Sequence, residues 1–195
     1  MHRALALLAF LAGTAAAQPN GVLLVAKPEL ADPNFDHTVV LVTRADDGST
    51  VGVILNRPTQ AKEHLYEGGP VMRQAIVALF AADEPPAEAA FRVLPNVYLS
   101  LHPALVDRLR ASPPAHARFF AGFAGWAPQQ LEAEVDAGGW YVLRASEALV
   151  FRADSANLWD ELVERARGGR ADSKPIYWTH AEHAAPAYRV TARRP

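Results

Sequence analysis

The chain has 195 residues, half of them apolar and 21% charged, with a formal net charge of −2 and no cysteine. That length suits one domain whose core stands without metal or disulfide support, and the lack of cysteine excludes disulfides, thiol catalysis, thiolate metal sites and a lipid-modified lipoprotein anchor. No lysine-rich run is present, so the basic footprint of a nucleic-acid-binding domain is missing and no nucleic-acid partner is expected.

Residues 1–17 read as a signal peptide. Arg3 supplies the positive start, Ala4 to Ala17 an apolar run, and Ala15-Ala16-Ala17 the small residues of a cleavage site. The run is too short for a membrane span of about 20 residues. The expectation is export to the periplasm, with no membrane span after cleavage. The alternative is a cytoplasmic protein with an over-extended start. Loss of Arg3 would move the net charge from −2 to −3.

Gly21 to Ala26 is an apolar, β-branched run and reads as a buried strand. Residues 27–36 form a loop punctuated by Pro28 and Pro33. Strands at 37–43 and 50–55 flank the Asp46-Asp47-Gly48-Ser49 turn and make a hairpin. Gly68-Gly69-Pro70 is a tight turn into the apolar run 71–80, and the acidic segment 83–88 is expected at an exposed hairpin tip. Residues 97–100 form a short strand. Pro103 opens a helix with Leu105, Val106 and Leu109 on one face. A strand at 118–123 ends in a glycine turn carrying Trp126. Pro128 then opens a helix to Ala137, which Gly138-Gly139 stops. Another strand covers 140–143. A helix capped by Asp154 or Ser155 runs to Ala166 with Leu158, Trp159 and Leu162 as its buried stripe. Residues 18–169 thus form one domain, and 170–195 a polar tail. Strands outnumber helices and at least one pair is a hairpin, so the fold class is α/β of an α+β-like kind. It is a mixed sheet with packed helices, not a doubly wound parallel sheet.

Four segments coincide in order: Gly21-x-Leu-Leu-Val-Ala with Asp32-Pro-x-Phe-x-x-Thr-Val39, then Gly52-Val-Ile-Leu-Asn-Arg-Pro58, then Gly68-Gly-Pro-Val71, then the segment from Gly122 to Glu134. The series resembles the YqgE/AlgH family of bacterial proteins over nearly the whole chain from Gly21 to Gly168. The resemblance implies a single α/β domain with a branched mixed sheet, and a family of unsettled biochemical function in which some members are labelled transcriptional regulators. This chain departs from the pattern in its leader, in a short 58–68 interval and in its tail. It also carries Gln129 where the family usually has glycine after the motif proline.

The candidate ligand-binding residues are Asn56, Arg57, Gly68, Gly69, Trp126 and Gln130. Arg57 follows a strand and can hold a carboxylate or phosphate bidentately, while Asn56 is more simply a turn former. Gly68-Gly69 offers amide groups to an anion but lacks a phosphate-loop context. Trp126 is either a lid or a packing plug. Glu132 and Glu134 lie about 200° apart on a helix and cannot share a site; their dipole role suffices. His180 and His183 have helical spacing but no third ligand, and no nucleophile elbow is present. No catalytic set, metal or cofactor is therefore expected. The leading expectation is a non-enzymatic binding or accessory protein with an unknown protein or small-molecule partner and an undetermined oligomeric state. The alternatives are a cytoplasmic regulator and an enzyme with a cleft near Asn56, Gly68 and Trp126.

Overall fold

The structure, a computed structural model, describes residues 21–59 and 65–170. The leader at 1–17 and the histidines at 180 and 183 lie outside the described residues. Nine strands join in a sheet built almost wholly from antiparallel pairs. They are β1 (Val22–Ala26), β2 (Val39–Arg44), β3 (Thr50–Ile54), β4 (Leu65–Glu67), β5 (Val71–Ala81), β6 (Phe91–Leu94), β7 (Val97–Ser100), β8 (Ala117–Trp126) and β9 (Trp140–Arg144). The order is β6-β7-β5-β8-β3-β2-β1-β9, and β4 branches off to pair in parallel with β8. The sheet is thus both mixed and branched. Its helices are α1 (Pro103–Ala111), α2 (Gln130–Asp136), α3 (Glu147–Val150) and α4 (Leu158–Arg165).

β8 joins the two halves. It pairs with β5 from Ala117 to Ala121 and again at Phe123, and its last part pairs with β3 from Ala124 to Trp126. Gly122 lies between Ala121 and Phe123 at φ +71°. The glycine-rich stretch expected as a turn is therefore a bend inside one long strand, and the chain turns only after Trp126. Residues 83–88 do not cap a hairpin either, because β5 and β6 both pair with β7 and not with each other. The hairpin is β6–β7, closed at Pro95-Asn96. There the Arg108 hydrogen bond holds the Glu88 carboxyl down to about 2, tying the 83–88 segment to α1.

The two halves curve over a shared core of Leu23, Leu41, Val53, Leu79, Leu99 and Phe120, which α4 closes with Leu158 and Leu162. The outer face of the β9-β1-β2-β3 half carries Val22, Leu24, Val40, Ile54, Trp126 and Trp140 and is covered by Leu131 of α2. On the outer face of the other half, Ala78, Phe80 and Tyr98 pack against Leu105 and Val106 of α1. Every residue of β1 is fully buried, since both its faces are covered. This explains why its sequence is a continuous apolar run without alternation.

Candidate functional site

The loop before β2 starts from Asp32. Its carboxylate accepts the Asn34 amide at 2.8 Å, and its carbonyl accepts the Phe35 amide at 3.0 Å. The loop lays Phe35 inward, stacked on Trp126 at 5.4 Å and edge-on to Trp140 at 5.4 Å. Trp126 is 3% exposed and sits in this aromatic cluster. Buried indoles need an acceptor, and Glu134 supplies one carboxylate oxygen to both, at 3.0 Å from Trp126 Nε1 and 3.1 Å from Trp140 Nε1. Glu132 points elsewhere and pairs with Arg44. Gln130 accepts the Ala127 amide at 3.1 Å and donates to Glu134 at 3.1 Å. Its side chain thus organises the start of α2.

Asn56 continues the β2–β3 pairing with its side chain. It accepts the Val39 amide at 2.8 Å and donates to the His37 carbonyl at 2.9 Å. Gly68 is committed as well: its amide donates to Ala121 and its carbonyl accepts from Ile54. A Cβ there would lie 2.1 Å from the Gly122 carbonyl oxygen, so only glycine permits this crossing.

A cleft of about 230 Å³ opens beside these crossings, lined by Asn34, Arg57, Thr59, Glu67, Gly69 and Arg73 among others. Of the sequence candidates, Arg57 and Gly69 line it, whereas Asn56, Gly68, Trp126 and Gln130 do not. Arg57 donates to the carbonyls of Asn34 at 2.7 Å and Asp36 at 2.8 Å. Arg73 reaches the side-chain oxygen of the same Asn34 at 3.5 Å, so one residue holds both guanidinium groups at the cleft. Among the described residues, Arg57, Arg73 and Glu67 have no ion-pair partner.

The backbone beneath Arg73 is irregular. Val71 pairs with Phe123 and Ile76 with Ala121, so β5 bulges between them. Met72 adopts φ +46° and is 63% exposed. Gly69, at φ +148°, and Gly122 accommodate the bulge from below. Bulges of this kind re-aim side chains at functional sites, and here the bulge carries Arg73 to the rim of the cleft. Arg73 is not among the sequence candidates, because the register shift that brings it to the cleft leaves no local mark in the sequence.

Arg118 is a second unusual cation, 7% exposed under the ring of Tyr66 at 4.5 Å. It donates to the Val150 carbonyl and the Tyr66 hydroxyl, both at 3.1 Å. Burial pulls its pKa below the usual value. It ties β4 and the end of α3 to β8.

The AlgH-like family model matches residues 23–171. The chain belongs to the AlgH-like family. It is 40% identical to a "UPF0301 protein" of Thermobifida fusca, over 76% of this chain and 87% of that one. It is 33% identical to a namesake in Myxococcus xanthus, over 71% and 85%. Among solved structures it resembles a protein from Corynebacterium diphtheriae, with TM-score 0.62, 25% identity, and 85% and 93% of the two chains covered. It shares its fold with the AlgH protein of Pseudomonas aeruginosa, with TM-score 0.62, 23% identity, and 80% and 92% covered.

Proposed function

We propose that this AlgH-like protein is a non-enzymatic binding or accessory protein, exported to the periplasm, that holds a small ligand in the Arg57–Arg73 cleft. The observation that carries the reading is the strained backbone of Met72, at φ +46°, in the β5 bulge beside that cleft. Gly69 and Gly122 also have positive φ there, which glycine adopts without strain. A non-glycine residue in that region costs roughly 1–2 kcal/mol, and such outliers persist where the surrounding structure imposes them, often at ligand clamps. The cleft is smaller than the roughly 300–1,000 Å³ of sites for drug-sized molecules, which suits a metabolite-sized ligand. With a net charge of −2 and no basic run, the reading includes no nucleic-acid partner. A protein-observed NMR screen with small fragments of varied charge tests the site. Binders are expected to move the amide signals of Gly69, Arg73 and Ala121. Binders that gather elsewhere on the surface, leaving those three unmoved, would overturn the assignment.

A further inference from the structure

The charges lining the cleft do not neutralise one another in the way neighbouring charges usually do. Glu67 and Arg57 are joined through their backbones, the Glu67 amide donating to the Arg57 carbonyl at 2.8 Å. Their side chains nonetheless form no ion pair. The Arg57 head turns instead to the neutral carbonyls of Asn34 and Asp36. Arg73 turns to the amide oxygen of Asn34. Two guanidinium groups gathered at Asn34 and one separate carboxylate thus line the same small cavity. Each guanidinium keeps N–H groups beyond those already donated, since arginine has five. A lone anion would meet the arginines but also the repulsion of Glu67. A lone cation would meet the reverse. A molecule carrying both charges a few bonds apart satisfies all three groups.

Resting on the reading that the cleft is the binding site, we propose that it selects a small zwitterion of the α-amino-acid class. The carboxylate lies on Arg73 and Arg57, and the ammonium on Glu67. Planar, forked donors match a carboxylate bidentately, and Glu67 offers acceptor oxygens to an ammonium with three donors. The cavity of about 230 Å³ leaves room for a small side chain.

The test is an NMR titration of the purified protein with L-alanine and with propionate, ethylammonium and inorganic phosphate, each of which lacks one half of the charge pattern. L-Alanine is expected to move the Gly69, Arg73 and Ala121 amides at a concentration at least tenfold below that needed for the others. Glu67→Gln should bring L-alanine to within about threefold of propionate, and Arg73→Gln should abolish the response to both. Both substitutions lie on exposed side chains, and unchanged signals from the Trp126 and Trp140 indoles report that the fold is kept. Propionate or phosphate binding as well as L-alanine overturns the proposal and leaves an anion site. Silence from all four probes also overturns it, whereas the binding-site reading itself fails only if no fragment of any charge reaches the cleft.

Discussion

Gln129 shows what one side chain costs. It sits at φ +68° immediately before α2, and its side chain is exposed. Left-handed backbone costs a residue with a Cβ roughly 1–2 kcal/mol, and glycine avoids that at an entropic cost of roughly 0.5–1 kcal/mol. The glycine that the family pattern carries at this position therefore has a physical cause. Gln129→Gly is expected to stabilise the protein by about 0.5–1 kcal/mol, read as a higher melting temperature; a lower one would refute the account. The neighbouring aromatic cluster sets a second scale. Trp126→Ala empties a buried site and should cost about 3–5 kcal/mol. Glu134→Ala leaves two buried indole donors without an acceptor, at about 1–3 kcal/mol each. Gln130→Ala loses exposed hydrogen bonds and should cost about 1 kcal/mol or less. Denaturant melts should rank Gln130→Ala as the mildest; a Trp126→Ala protein as stable as the parent would show that the corner does not depend on that ring.

At the scale of elements, β8 decides the architecture, because it serves both halves of the sheet and bends at Gly122, just before its pairing with β3 begins. A Cβ at Gly122 would meet the carbonyl oxygens of Val71 at 2.7 Å and Gly69 at 2.8 Å, all of it rigid backbone. Gly122→Ala should cost about 2–5 kcal/mol, combining roughly 1–2 for left-handed strain with roughly 1–3 for overpacking. A melt within 1 kcal/mol of the parent would mean that the crossing is looser than it looks. This crossing also marks how far the sequence could be read. The strands β1, β2, β3, β7 and β9 were visible as apolar runs, and α1 through its Pro103 start and apolar face. The short strands β4 and β6 were not, since Leu65–Glu67 and Phe91–Leu94 are too brief to show a period. The last part of β8 was mistaken for a turn because glycines usually punctuate loops. Here Gly122 permits a bend and Gly125 sits in the β3 pairing. The cleft was half legible. Arg57 and Gly69 stood out at strand ends and turns, but the bulge that brings in Arg73 is a tertiary register shift with no local signature.

For the molecule as a whole, the four motifs matter because the fold brings them together. Phe35 of the first meets Trp126 of the last, Ile54 of the second bonds Gly68 of the third, and Arg57 grips the loop that positions Phe35. They surround the crossing and the cleft, so their shared order reflects one assembled region of the AlgH-like fold. Residues 1–17 precede all four motifs in the sequence. The described fold begins at Gly21, whose amide donates to Val93 at 2.9 Å, and the fully buried β1 follows at once. Cleavage after Ala17 therefore leaves every residue of the described fold on the mature chain. With a positive start, an apolar run and a small-residue site in that order, the expected mature protein begins at Gln18 and lies in the periplasmic fraction. Intact-mass measurement on protein from fractionated source cells checks this, and recovery of soluble cytoplasmic protein that still carries residues 1–17 would refute export and return the cytoplasmic alternative to first place.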